Sequence, residues 1–279
     1  MNKRLRILSF ALLGIALIAF AWWILRDPSD PRYQGKRLSE WLKNYDHYRP
    51  SVNDLWVDQM RQTDEAVRNL GTNCIPLLLR LMEAKDSRLK TRMFEFLGDH
   101  GFGDISFTSA EQFHYRAFRG FLVLGAMATN AVPQLLSIYS RSTDEQGKAL
   151  VQECFGFIGP AASNAVPLLM SNIFSADEPI KMTAIRSLGQ IHCNPEVVVP
   201  KLALLLEDKY PVNQMEAARA LEQFGTDAHA VVPKLIELLD HTSIQRNGDL
   251  LRALERIDPP AGRKWKQAYA TNSTLNLGP

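Results

Sequence analysis

"ATNAVPQLL" (128–136) and "ASNAVPLLM" (162–170) are near copies of one phrase within a single chain. Each has small and polar residues, then Ala-Val-Pro, then an apolar run. The phrase has further relatives, found by taking Pro76, Pro133, Pro167, Pro200 and Pro233 as anchors. The last four recur about every 33 residues. The residue before each proline is Ile75, Val132, Val166, Val199 or Val232, always β-branched. Two residues after it comes a leucine each time: Leu78, Leu135, Leu169, Leu202 and Leu235. Apolar residues resume three and six positions after the proline. Offsets of −1, +2, +3 and +6 lie on one stripe of a helix. Proline is tolerated in the first turn, where the backbone N–H groups have no intrahelical acceptor. Each proline is therefore expected to open a helix, here named B.

A second helix, A, is expected before each B helix. Gly71, Gly125, Gly159, Gly189 and Gly225 read as its C-terminal caps. The residues immediately before them are Leu70, Leu124, Ile158, Leu188 and Phe224. A bulky residue stands four before each glycine, and a small one five before: Ala66, Gly120, Cys154, Ala184 and Ala220. Bulky pairs beside a small residue suit close helix packing. Thr108–Glu111 and Thr143–Gln146 read as capping boxes, and Asn194 and Asp227 as N-caps before B helices. No strand alternation is evident. Two helices per repeat of about 33 residues is the pattern of an α-solenoid, whose units bury their apolar stripes only by stacking.

The ends depart from the pattern. Ala253, Leu254 and Ile257 fit an A helix with Asp258 in the glycine place, followed by Pro259-Pro260, so they read as a degenerate last repeat. A partial copy ends at Gly98, and "DHGFGDISF" (99–107) reads as a loop whose Phe102, Ile105 and Phe107 pack beneath it. "LSEWLKNY" (38–45) reads as a short helix, with Ser39 near its cap, that docks Trp41 and Leu42 on the first repeat. The expected domains are residues 1–26, a membrane segment; 27–53, a linker and docking helix; 54–268, the solenoid; and 269–279, a disordered tail.

The chain of 279 residues has globular composition, with 46% hydrophobic and 22% charged residues and a net charge of +2. Lys3, Arg4 and Arg6 supply that positive balance, leaving the body close to neutral without a basic stripe, so nucleic-acid binding is not expected. Residues 7–25 carry no charge and are long enough to span a bilayer, with Trp22 and Trp23 at the far end. The basic start places the N-terminus in the cytoplasm and the repeats in the periplasm or outside the cell. The alternative is an exported soluble protein, because Ala19-Phe20-Ala21 has the small-x-small form of a signal cleavage site.

"AARALEQFG" (217–225) and "AVVPKLIELL" (230–239) resemble HEAT repeats, particularly the short bacterial kind. The resemblance covers roughly residues 54–268. "GKRLSEWL" (35–42), behind a membrane segment, is similar to leaders of exported HEAT proteins in planctomycete-like and verrucomicrobial bacteria. The resemblance implies an all-α, right-handed solenoid with B helices lining its concave side, and a binding or scaffolding role. Some HEAT-like repeats belong to phycobilisome lyases, which attach bilins to cysteines. No residue outside the packing pattern matches a lyase site, so that activity is not carried over.

No catalytic motif is present. Asp99, His100, Asp104 and His114 gather around the irregular loop, but their spacing fits no ligand motif; no metal and no other cofactor is expected. Cys154 and Cys74 occupy small core positions, whereas Cys193 falls in a turn between helices. The candidate binding positions lie one and four residues after each proline, pointing away from the A layer. They comprise Arg80, Gln134, Ser137, Lys201, Leu204, Lys234 and Glu237, together with Leu77, Leu168 and Ser171. Three readings stay open: a non-enzymatic membrane-anchored scaffold with a protein partner on the concave face, a lyase or cofactor carrier using Cys193 or the loop around His100, and a structural spacer in the envelope.

Overall fold

The computed structural model describes residues 30–47, 54–86, 92, 108–241 and 247–275. The membrane segment, the partial copy ending at Gly98 and the 99–107 loop lie outside the described residues.

The fold is an all-α repeat. Its A helices are α2 (Asp54–Leu70), α4 (Ala110–Leu124), α6 (Glu145–Ile158), α8 (Glu178–Ile191), α10 (Pro211–Phe224) and α12 (Asn247–Ile257). The B helices are α3 (Ile75–Met82), α5 (Val132–Arg141), α7 (Val166–Asn172), α9 (Pro195–Leu204) and α11 (Val232–His241). Each A helix packs on the next A helix, and each B helix packs on the A helix that follows it. α4 packs directly on both α2 and α3. One hydrophobic core runs through the described repeats.

The two stripes account for this core. At offsets −1, +2 and +6 from the proline every residue is buried, and at +3 every residue is half-buried. On the A side, Val67, Phe121, Phe155, Ile185, Leu221 and Leu254 are fully enclosed, as are the small residues Ala66, Cys154, Ala184 and Ala253. Two small residues permit contacts that nothing larger allows. A Cβ on Gly120 would lie 2.5 Å from Leu78 Cδ2, and one on Gly189 would lie 2.7 Å from Ala220 Cα.

Gly71, Gly125, Gly159 and Gly225 end their A helices with φ between 50° and 74°. At Gly125, Gly159 and Gly225, ψ lies between −130° and −144°, a region open almost only to glycine. A 3-10 turn then leads to Val-Pro or Ile-Pro at the head of the B helix. Gly189 departs from the expectation. It lies inside α8, which continues to Ile191 and ends at His192, with a left-handed φ of 50°. The glycine is there for the Ala220 contact, not for the cap. Pro200 also differs, because α9 begins at Pro195, behind a left-handed Asn194, and carries Pro200 in its interior. Asn194 makes no side-chain cap bond, and Asp227 lies within the 3-10 turn Gly225–Val231, not at the start of α11.

The helix-start signals sit one residue from where the sequence suggests. Ser109, not Thr108, caps α4 and forms a capping box with Gln112. Asp144, not Thr143, caps α6 through the N–H groups of Gln146 and Gly147. Asp177 caps α8, its carboxylate accepting from Ile180 N at 2.9 Å. Asp86 accepts from Ala110 N, and Asp208 from Tyr210 N, so each described B-to-A turn carries a carboxylate bound to backbone N–H groups.

The N-terminal piece is a cap. A two-residue hairpin, β1 (Arg32–Tyr33) and β2 (Lys36–Arg37), turns through Gln34 and Gly35, both at positive φ. The strands are too short to show alternation, which is why they read as linker. Ser39 does not cap α1 (Leu38–Leu42); Arg37 occupies the N-cap, and Ser39 binds Asp30 through its N–H and hydroxyl. Leu38, Leu42 and Tyr45 are buried in the common core, and Trp41 is nearly so. Tyr45 donates to Asp64 at 2.7 Å, and Asp46 pairs with buried Arg116 of α4.

At the other end, Asp258 takes the glycine place because two prolines follow. Its carboxylate accepts from Ala261 N and caps α13 (Pro259–Leu275). That helix runs beyond residue 268 into the stretch read from sequence as a disordered tail. Two stretches, Ala110–Arg141 and Glu145–Asn172, are long and apolar enough to cross a membrane by length and composition. Each is broken by Gly125 or Gly159 into two helices, and their large residues Phe121, Leu124, Phe155 and Ile158 are spent on the inter-repeat core.

Candidate interaction surface

The seven candidate residues lie on the outward side of the B helices. Arg80, Gln134, Ser137, Lys201, Leu204 and Glu237 are exposed, and Lys234 is half-buried. Lys234 pairs with Glu207 of the preceding repeat and with Glu237 on its own helix, which raises its pKa, Glu207 being the main cause. Two residues at the same offsets differ. Leu77 is 1% exposed and belongs to the core, and Leu168 is half-buried. The helical register alone therefore does not settle exposure on α3 and α7.

The most open apolar part of this face is on α9. Val197 is 53% exposed and Leu204 is 59% exposed. Lys201 lies between them, and spacings of four and three place all three on one helix face. Lys201 makes no ion pair among the described residues. Sequence inspection misses Val197, because it precedes the proline from which the outward offsets were counted.

The opposite character marks the A layer. Arg186 of α8 bridges Glu153 of α6 at 2.9 Å and Glu216 of α10 at 3.2 Å. Glu216 also meets Arg219, which pairs with Asp249 of α12, and Asp249 meets Arg252. Four consecutive A helices are thus laced by alternating charges. Burial and the nearby Glu216 raise the Glu153 pKa, opposed by Arg186. Between the layers, fully buried Gln152 donates to Ile180 O and Thr183 Oγ1 and accepts from Asn172, which also reaches Tyr139.

The residues with chemical potential are held by packing. Burial raises the Cys74 thiol to about 12 and the Cys154 thiol well above its usual range. Cys193 is half-buried, 3.4 Å from Ile191 O. His114, the one described member of the proposed metal-like set, is buried on α4. Its Nε2 lies 2.9 Å from Ala84 O and its Nδ1 3.4 Å from Asp144 Oδ2. The carbonyl requires the Nε2 hydrogen, so that nitrogen is not open to accept a substrate proton. Among the described residues no three His, Cys, Asp or Glu side chains gather as a metal site.

A cleft of about 680 Å³ opens beside His114, between the C-terminal ends of α3 and α5 and the first turns of α4 and α6. Met82, Ile138, Leu150 and Val151 supply its apolar lining; Glu83, Asp86, Glu111 and Asp144 supply carboxylates. Sequence reading misses it because four elements, distant in the chain, contribute to it.

Residues 214–241 match the family model described as PBS lyase HEAT-like repeat. The match covers most of α10, the 3-10 turn and α11, which is one A–B pair. No curated protein matches. Thirty-nine solved chains match. One is the crystal structure of an engineered protein from the Northeast Structural Genomics Consortium, 20% identical, covering 80% of this chain and 96% of that one with a TM-score of 0.41. The chain thus contains a PBS lyase HEAT-like repeat within an all-α repeat fold.

Proposed function

We propose that this chain is a non-enzymatic repeat scaffold that binds a protein partner along the outward face of its B helices. The observation that carries the reading is the Val197–Lys201–Leu204 stripe on α9, two open apolar side chains flanking a cation without an ion pair among the described residues. Lys234, ion-paired with Glu207 and Glu237, continues the face into the next repeat as a charged cluster. Mixed apolar and charged contacts of this kind suit protein recognition, in which apolar anchors supply affinity and charges supply orientation. HEAT-like repeats elsewhere serve as scaffolds, and the one matched here includes Lys234 and Glu237.

The same reading has the B helices on the concave side of a right-handed solenoid, anchored through residues 7–25 with the repeats outside the cytoplasm. The 19-residue uncharged run behind a basic start supports the anchor.

The test is cross-linking in native membranes with mass spectrometry, comparing the natural chain with a double variant, Lys201→Glu and Leu204→Asp. Both positions are exposed, so the thermal midpoint is expected to stay the same while a reproducible cross-linked protein disappears. An unchanged cross-linking pattern rules out this face.

A further inference from the structure

We propose that the cleft beside His114 is a binding site for a primary amine or guanidinium group carried on an apolar stem. The inference is independent of the α9 stripe, because the cleft lies at the B-to-A turns of the first repeats. Its volume of about 680 Å³ falls within the range of small-ligand sites, roughly 300–1,000 Å³.

The lining selects charge. Glu83, Asp86, Glu111 and Asp144 face the cleft against Lys85 and Arg141. Arg141 is already engaged with Glu83 at 2.7 Å. The N-termini of α4 and α6, which would otherwise attract an anion, are capped by Ser109 and Asp144, and Asp86 holds Ala110 N. Glu111 is exposed in the first turn of α4, and the side chain of Gln146, at 3.3 Å, donates to its Oε1. Asp86 uses Oδ1 for Ala110 N. Among the described residues each therefore keeps an oxygen for an incoming N–H donor.

The lining also selects shape. Met82, Ile138 and Val151 are buried apolar residues at the base, with Leu150 half-buried beside them. They suit a chain of a few methylenes. Gly147 lets Asp144 and His114 pack close at this corner, because a Cβ there would lie 2.6 Å from Asp144 Oδ2 and 3.3 Å from His114 Nδ1. His114 is a positioning residue: its Nε2–H donates to Ala84 O and ties α4 to the end of α3.

A lysine side chain from a partner protein and a free diamine share this chemistry. Saturation-transfer NMR on the full chain in detergent separates them, using Nα-acetyl-lysine methylamide and cadaverine as probes and Nα-acetyl-glutamate methylamide as control. Binding of the lysine derivative with little of cadaverine assigns the site to a protein side chain; the reverse assigns it to a free amine. Either probe is expected to bind with Kd near 1 mM, the range for so small a ligand. Glu111→Gln and Asp86→Asn, which keep size, the latter also keeping the acceptor for Ala110 N, are each expected to weaken binding about fivefold. Binding of neither amine, equal binding of the glutamate control, or binding unchanged by both substitutions overturns the proposal.

Discussion

Leu202 and Leu235 are fully enclosed at the same offset of successive B helices. Replacing either with alanine is expected to cost about 2–5 kcal/mol in urea denaturation, as for buried leucines generally. A neutral result at either position contradicts the repeat register. The glycines divide into two kinds with different signatures. Gly189→Ala forces a Cβ against the Ala220 backbone and is expected to cost about 1–3 kcal/mol through overpacking. Gly225→Ala meets no neighbour within 4 Å, yet its φ of 50° strains any side chain, for a cost of about 1–3 kcal/mol. A second substitution, Ala220→Gly, removes the Ala220 Cβ at 3.0 Å but not the Cα at 2.7 Å, so it is expected to rescue neither. Sequence alone makes these glycines look alike, because both follow a bulky residue at the same register. Only the path of α8, continuing to Ile191, separates a packing glycine from a capping one. The thiols divide too. Iodoacetamide labelling of the native chain is expected to modify Cys193 alone, and to reach Cys74 and Cys154 only after unfolding.

At the scale of the element, the inter-helix connections rest on charge. Arg186→Gln leaves Glu153 and Glu216 facing each other across α8 and is expected to cost about 1–3 kcal/mol, measured by urea denaturation at neutral pH. Asp208 gives a test in acid. Its burial pushes the pKa up, but the N–H of Tyr210, the Asn213 amide and the Lys181 ammonium outweigh that and hold it below the usual carboxylate value. A lowered folded pKa contributes stability above the unfolded value, near 4, and loses it as pH falls through the folded value. Asp208→Asn is therefore expected to flatten the stability profile below about pH 4 and to lower stability at neutral pH. The helices themselves were readable because proline, leucine and glycine recur at fixed offsets. Asp86, Asp177 and Asp208 do not stand out in the sequence, since a lone Asp before a helix is common and its N–H partners emerge only with the backbone. The hairpin at Arg32–Arg37 left no alternation to read, having two residues per strand.

For the whole molecule, one core cluster of described residues joins Leu38 in the N-terminal cap to Ile257 in the last A helix. A stack of this kind gains stability from each interface between neighbours, so the ends matter as much as the middle. The candidate face was only partly legible. The outward offsets include Lys201 and Leu204, which are exposed, but also Leu77, which the core absorbs, and they omit Val197, which is open. Offsets describe one helix, whereas exposure depends on the neighbouring repeats. The direct test of the scaffold account is to place a photo-reactive amino acid at Leu204 on the B face and, separately, at Arg252 on the A face, irradiate native membranes, and identify adducts by mass spectrometry. The account predicts a discrete protein adduct from Leu204 and none from Arg252. Adducts from Arg252 with none from Leu204 contradict it.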